Sequence, residues 1–352
     1  MQLRPTTSPF PLFPLWLLAL LSFSAPVAGM GLVVASGAGA CPLPQVAATR
    51  PPPQAANRLA ESKAAPGQRN IAWAWLGSPT RRYPHPALGS TAHAGSLHVL
   101  ARSPLGKLQA LTLTLPLNRV FEDRIPRLVD LDGDGLDEIL LIESDLLKGS
   151  ALVVYGVQPS LVGTQTSATT GPQQALPAKA FEALELHELA RSPPTGSTFR
   201  WLNPIGVADF DGDGHLDIAS VTAPHVGGVL TLYHYRPQPG RPPHAPGTAS
   251  GQLVPFASVM DVSNHKMGAL EQEVATIVTL PGQRPAIIVP DMTLSALHAF
   301  RWEAPGQWKE LADVKPLPAR IERIEALAGQ GLPAGACVKL TDGNWVRVWL
   351  TQ

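Results

Sequence analysis

The chain has 352 residues with 27 basic and 27 acidic side chains, and its charged fraction of 15% lies below the roughly 25% typical of soluble domains. This balance excludes a strongly basic nucleic-acid-binding surface and gives no reason to expect an anionic membrane as a partner. With 37 prolines and 31 glycines, the chain stays below the composition of low-complexity disorder, so we expect a folded protein with many turns.

Residues 1–40 are predicted to form an export signal. A basic start precedes an apolar run over 15–21, and prolines and serines around that run argue against a membrane-spanning helix. A membrane anchor stays open as an alternative because 28–34 is again apolar. Small-residue cleavage patterns end at Ala28 and at Ala40, and the sequence does not choose between them. We expect the mature chain to be secreted or periplasmic, monomeric and without a membrane span.

The two cysteines, Cys41 and Cys337, lie near opposite ends of the mature chain. In an exported protein an even cysteine count favours a disulfide, which here would tie the N-terminal segment to the last structural repeat. Two alternatives stay open: a lipid-modified Cys41 after the small residues 38–40, and two unpaired buried thiols.

Residues 41–68 are rich in proline and alanine and show no apolar period, so they are predicted to be a linker or an N-terminal arm. The fold is expected to occupy 69–352.

A pattern of three short β-rich runs recurs through the predicted fold. About five such units begin near residues 72, 128, 206, 275 and 324. A propeller blade takes roughly 40–50 residues, so the longer steps need inserted loops, which we place at 160–180 and 235–251. The segment 181–190 could form either a short helix or an outer strand. The pattern predicts an all-β fold, a β-propeller of about five blades, with six or seven also open.

Two acidic loops, 130–138 and 209–217, stand at the same point of two units. Each has carboxylates at positions 1, 3, 5 and 9 and glycine at position 6, and such a set suits a hard cation that prefers six to eight oxygen ligands. The predicted ligands, with a backbone carbonyl at position 7, are Asp130, Asp132, Asp134, Leu136 and Glu138 in the first loop and Asp209, Asp211, Asp213, His215 and Asp217 in the second.

Calcium is the predicted cation, with two ions in all. A helix–loop–helix calcium site requires glutamate at position 12, where these loops have Leu141 and Ser220, and both loops have β-rich flanks. Magnesium prefers rigid octahedral sites that keep its waters. Tight hairpin turns made by Asp-Gly pairs are the competing interpretation, which the second copy of the loop disfavours.

The loops and their flanks resemble the FG-GAP/VCBS repeat, the calcium-loop propeller blade of integrin α-chain heads and of many bacterial exported proteins. The resemblance is closest over 207–218 and covers roughly 70–352. It implies a calcium-binding propeller and an exported location, but it implies no activity.

Several polar side chains in other loops form a candidate ligand-binding group, because blade loops converge near the axis of a propeller. They are Tyr83, His85, Asn203, His225, Asn264 and His265. Asparagine and histidine in loops also commonly bond to nearby backbone, which is the alternative.

No hydrolase elbow, zincin motif, phosphate-binding glycine loop or Cys-x-x-Cys pair occurs in the sequence. The sequence therefore favours a calcium-stabilised binding or adhesion module with a protein or glycan partner. The alternative is a carbohydrate-active or other hydrolase or lyase that uses the loop histidines and asparagines.

Overall fold

A computed structural model describes residues 29–35, 41, 50–159, 183–237, 251–305, 307–311, 315–327 and 334–351. Over these residues the protein is all-β, as predicted, with one short 3-10 helix (Pro53–Asn57) and no α-helix. None of the helical structure described is long and apolar enough to cross a membrane.

The first ten strands are β1 (Gly29–Ala35), β2 (Ala65–Pro66), β3 (Ile71–Thr80), β4 (His93–Arg102), β5 (Leu108–Thr114), β6 (Arg119–Phe121), β7 (Arg127–Val129), β8 (Glu138–Asp145), β9 (Gly149–Pro159) and β10 (Leu184–Arg191). β10 occupies the segment for which a helix and an outer strand were both open. Its neighbour β9 pairs with it antiparallel from Leu184 to Arg191.

The remaining strands are β11 (Leu202–Ala208), β12 (Asp217–Thr222), β13 (Val229–Pro237), β14 (Gly251–Met260), β15 (Thr276–Val278), β16 (Ala286–Pro290), β17 (Ala296–Ala304), β18 (Gln307–Glu310), β19 (Lys315–Pro316), β20 (Ile321–Ala326), β21 (Gly335–Leu340) and β22 (Trp345–Thr351). Most of both predicted insertions, 160–180 and 235–251, lies outside the described residues.

Most strands belong to five groups of four antiparallel neighbours. In pairing order the groups are β2-β3-β4-β5, β7-β8-β9-β10, β11-β12-β13-β14, β15-β16-β17-β18 and β20-β21-β22-β1. β6 bridges the first two groups through β4 and β8, and a parallel contact between β10 and β14 joins the second group to the third. The first three groups thus form one sheet of 13 strands, and the other two form separate sheets.

The apolar core lies between consecutive groups. Four hydrophobic clusters each combine buried side chains of two neighbouring groups, which bury one face of each against the next. Representative pairs, from the first interface to the fourth, are Leu76 with Leu141, Leu152 with Leu202, Val221 with Val289, and Ile288 with Val338. Within the described residues, no such cluster joins the fifth group to the first.

Part of the segment 50–66 packs against the face of the first group that does not contact the second group. Ala55 in the 3-10 helix shares a cluster with Trp75 and Leu100, and the Leu59 N–H donates to the Leu76 carbonyl oxygen at 2.8 Å. This part of the predicted linker or arm is therefore structured against the sheet.

The N-terminal strand β1 completes the last group although it lies inside the predicted export segment. It pairs antiparallel with β22 from Gly29 opposite Thr351 to Ala35 opposite Trp345. Shortly after it, Cys41 forms a disulfide with Cys337 on β21, with the two Cα atoms 5.7 Å apart. The two ends of the described chain therefore meet in one sheet.

Candidate functional site

The two acidic loops have the same local structure. The first joins β7 to β8 and the second joins β11 to β12. Each loop has the same four bonds from a backbone N–H to a carboxylate. The N–H of position 6 donates to position 1, that of position 5 to position 3, that of position 7 to position 5, and that of position 2 to position 9. In the first loop the bonds are Gly135–Asp130 3.1 Å, Asp134–Asp132 3.3 Å, Leu136–Asp134 2.7 Å and Leu131–Glu138 2.8 Å. In the second they are Gly214–Asp209 3.0 Å, Asp213–Asp211 3.1 Å, His215–Asp213 2.8 Å and Phe210–Asp217 3.2 Å.

Glycine is needed at positions 4 and 6 of both loops. Gly133 and Gly135 have φ values of 75° and 87°, and Gly212 and Gly214 have 77° and 88°. Side chains other than glycine rarely adopt this left-handed region. The glycines let the chain curl so that its carboxylates point inward, which explains why both loops share one conformation.

The oxygens of each loop gather closely enough to hold one cation. One oxygen each from Asp130, Asp132 and Glu138 lie within 4.8 Å of one another, and the same holds for Asp209, Asp211 and Asp213. The Oδ1 atom of Asp130 is buried and has no hydrogen-bond partner in the described part of the chain. All these donors are hard oxygens, so the residues fit a calcium ion.

The carboxylates also disturb one another's protonation. Burial, with the charges of Asp132, Asp134 and Asp130, raises the pKa of Glu138 to about 8. Burial raises the pKa of Asp217 to about 6, even though the N–H of Phe210 and the His234 ring favour its charged form. Such repulsion between crowded acids is what a bound cation relieves.

Each loop has a different basic neighbour. In the first, Arg69 Nη1 lies 2.7 Å from Asp130 Oδ2 and 3.3 Å from Asp137 Oδ1. In the second, His234 Nδ1 lies 2.8 Å from Asp217 Oδ1, so the position-9 carboxylate is already engaged there. The two loops therefore have the same backbone conformation but different neighbouring charges.

The other predicted site residues form three pairs, and five of the six lie in loops as predicted, whereas Asn203 is a buried residue of strand β11. His225 Nε2 lies 2.8 Å from His265 Nδ1, while the rings of Tyr83 and His85 lie edge to face with centroids 6.1 Å apart. The side-chain amides of Asn203 and Asn264 donate to each other's backbone carbonyl oxygen, at 3.2 and 2.8 Å.

The histidine pair has a defined proton arrangement. His265 Nε2 faces the Ala269 carbonyl oxygen at 3.1 Å, so this nitrogen must be the donor. His265 Nδ1 then accepts from His225 Nε2, which leaves on His225 Nδ1 a lone pair for which no donor occurs among the described residues. Burial lowers the pKa of His225 to about 4 and that of His265 to about 3, with the neighbouring imidazoles adding to both effects. Both rings are neutral near pH 7.

Sequence reasoning missed the residue that links these pairs, Trp201. Its ring stacks parallel to His225 with centroids 6.0 Å apart, and its indole N–H donates to the Glu122 carbonyl oxygen at 3.0 Å. The Glu122 carboxylate in turn lies 2.7 Å from His85 Nδ1. Two signals in the sequence could have identified these residues. Trp201 is an aromatic residue two positions before Asn203, and the charged triplet 122–124 interrupts an apolar region before β7.

Acid is expected to destabilise the folded protein partly through this histidine pair. Unfolded imidazoles take up protons below pH about 6.5, whereas the folded pair stays neutral down to pH about 4 or 3. The contribution of the pair to the free energy of unfolding is thus complete above pH 6.5 and is lost as the pH falls from about 6.5 toward 4 and 3. Urea unfolding at pH 7 and pH 5 should show a smaller acid-induced loss in the His225→Gln/His265→Gln double variant.

The control is His215→Gln, whose side chain is exposed. It should show the wild-type loss of stability. An equal loss in the double variant and the wild type would contradict the neutral pair.

Comparison with known proteins finds no matching family model and no matching curated protein.

Proposed function

We propose that the protein is an exported calcium-binding β-propeller of the FG-GAP/VCBS type that acts as a binding or adhesion module. The observation that carries the proposal is the pair of acidic loops with the same four backbone-to-carboxylate hydrogen bonds and the same glycine conformations. Calcium stabilises these loops, and the partner, a protein or a glycan, docks on loops elsewhere.

The propeller arrangement is supported by the five groups of four strands. The first strands of the second and third groups, β7 and β11, line a common cavity together with the segments that precede β2 and β15. In a propeller the innermost strands of the blades surround the axis in this way. The N-terminal strand β1 would be the outermost strand of the last blade.

In the first loop, calcium would be held by the carboxylates of Asp130, Asp132, Asp134 and Glu138 and by the carbonyl of Leu136. In the second, it would be held by Asp209, Asp211, Asp213 and Asp217 and by the carbonyl of His215. Two ions balance the charge of the clustered acids and fix the connection between two strands in each group. Their role is structural.

Calorimetric titration of calcium into chelator-treated protein tests the proposal. Two ions should bind per chain, and Asp132→Ala and Asp211→Ala should each remove one of them. The matched control is Asp137→Ala, because Asp137 lies in the first loop outside the ligand positions. Absence of heat, or unchanged stoichiometry in both ligand variants, would reduce the loops to hairpin turns.

Export with cleavage after Ala28 is part of the same proposal. Cleavage there would leave Gly29, the first residue of β1, as the mature N-terminus, whereas cleavage after Ala40 would remove the strand that completes the last group. Intact-mass analysis of the exported protein should therefore give a chain that starts at Gly29. A mature chain that starts at Cys41 would contradict this assignment, and so would a lipid on Cys41.

The binding role is supported by exposed apolar side chains in the loops that carry the histidines. Phe199, Val226 and Met267 are 46%, 80% and 50% exposed; Phe199 stacks on His85 with ring centroids 5.3 Å apart, and Val226 and Met267 follow His225 and His265 by one and two residues. Apolar side chains exposed together commonly mark an interaction surface. A monomer that presents this loop face to its partner fits these features best.

The alternative is a hydrolase or lyase acting on carbohydrate at the same face. The observation that points to it is the lone pair on Nδ1 of the half-buried His225, although a pKa of about 4 makes this imidazole a weak general base near pH 7. A screen of glycans and esters decides: turnover that is lost in His225→Ala or His265→Ala favours the enzyme, and no turnover favours the binding module.

A further inference from the structure

A cavity of about 830 Å³ lies between β7, β11 and the segments that precede β2 and β15. Its wall is mostly aliphatic, and the side chains of Leu128, Ile205 and Val207 on β7 and β11 are only half-buried because they face it. Ligand pockets are commonly of this size, apolar, and equipped with a few polar groups that orient the ligand.

One of the polar groups in this wall is a buried arginine with an unfilled donor. Arg124 is 4% exposed, and its Nη2 donates to the Leu88 carbonyl oxygen at 3.0 Å, but its Nε has no hydrogen-bond partner among the described residues. A buried cation with an unsatisfied donor is costly unless another group completes its bonding.

The carboxylates next to Arg124 in the chain are already engaged. Asp123 Oδ2 lies 2.7 Å from Arg127 Nη1 and accepts the Ile142 N–H at 3.1 Å. Glu122 bonds to His85 at 2.7 Å and to Ser144 at 2.5 Å. Neither forms an ion pair with the Arg124 guanidinium within the described chain, so that buried charge has no direct counter-ion there.

The wall carries three basic side chains, Lys63, Arg124 and Arg127, and three acidic ones, Glu61, Glu271 and Glu273. Lys63 belongs to the same part of the wall, since its backbone N–H donates to the Arg124 carbonyl oxygen at 2.8 Å, and no ion pair of its ammonium occurs in the described structure. Glu271 and Glu273 lie on either side of Gln272, whose side-chain oxygen accepts the Arg124 backbone N–H at 3.1 Å, and they share Arg323 with Glu325. Arg124 and Lys63 are the basic groups of the wall that form no ion pair in the described structure, and Glu61 is the acid of the wall that forms none there.

We propose that this cavity binds a small organic anion with a compact apolar body. The oxyanion group, a carboxylate or a phosphate, bonds to the Arg124 guanidinium and the Lys63 ammonium, and the body lies against Leu128, Ile205 and Val207. A planar guanidinium pairs well with both kinds of oxyanion. The site shares no residue with the acidic loops, so it stands whether or not those loops bind calcium.

Saturation-transfer NMR with three probes of similar shape tests the site: benzoate, phenyl phosphate and the neutral benzamide. At least one anion should bind, and benzamide should bind about tenfold more weakly, as expected for the loss of a charge-assisted hydrogen bond. The stronger of the two anions identifies the preferred oxyanion. Equal binding of benzamide and the anions, or no binding of any probe at millimolar concentration, would overturn the proposal.

Two variants locate the binding. Arg124→Met should weaken the anion about tenfold, and Lys63→Met about threefold because its side chain is exposed. Lys266→Met is the matched control, since Lys266 is also exposed but lies outside the wall, and it should change nothing. Circular dichroism checks that Arg124→Met folds, and if it does not, Lys63→Met decides. Unchanged anion affinity in Lys63→Met together with a folded, unaffected Arg124→Met would overturn the assignment.

Discussion

Saturating calcium is expected to raise the melting temperature of chelator-treated protein by roughly 10 °C. A ligand at a hundred times its Kd adds about 2.7 kcal/mol per site, so two sites together would add about 5 kcal/mol. For a chain of this size each kcal/mol shifts melting by roughly 2 °C. Differential scanning calorimetry with and without the ion measures the shift directly.

The effect of a loop substitution on stability should reverse its sign when calcium is added. Without calcium, Asp132→Ala should be at least as stable as the wild type, because burial and the charges of Asp134 and Asp130 raise the pKa of Asp132 and thus disfavour its carboxylate. With calcium it should be the less stable protein, since it loses one ion. Magnesium at equal ionic strength is the control and should stabilise less. A variant that is equally destabilised in both conditions would show that Asp132 acts only through its bond to the Asp134 N–H.

Removal of the disulfide should produce the other large loss of stability. Cys41 and Cys337 are separated by 296 residues, and the chain-entropy account gives about 6 kcal/mol for closing a loop of this length. The Cys41→Ala/Cys337→Ala double variant should therefore unfold at clearly lower urea concentration than the oxidised wild type.

A reductant provides the matched control for the disulfide. It should lower the wild-type midpoint toward that of the double variant and leave the double variant unchanged. Titration of two free thiols in the native, unreduced protein, or equal midpoints for wild type and variant, would contradict the bond. Loss of the bond should also weaken the pairing of β1 with β22, which hydrogen exchange of those strands would report.

The acidic loops were predictable because their information is local. The carboxylates and glycines of 130–138 and 209–217 stand within nine residues, and the backbone follows from that spacing. The β-strands of the repeated units were accessible for the same reason, through runs of apolar residues between turns. β10 was ambiguous because an alternating strand and a short amphipathic helix share the composition of 181–190.

The features that sequence reasoning missed depend on contacts between distant segments. β1 is an apolar run that is indistinguishable from part of an export signal until it is seen beside β22. His225 and His265 could be flagged separately, but their direct bond joins residues 40 apart. Arg124 belongs to a charged triplet that the sequence does show, but its burial does not follow from the sequence because it results from the packing of several segments around one cavity.

A crystal structure grown in calcium, with an anomalous difference map, would show whether the acidic loops hold the ion. One ion is expected in each acidic loop, about 2.3–2.6 Å from the carboxylate oxygens at positions 1, 3, 5 and 9. Loops that keep their backbone with no ion in either, and with Arg69 still paired to Asp130, would contradict this expectation.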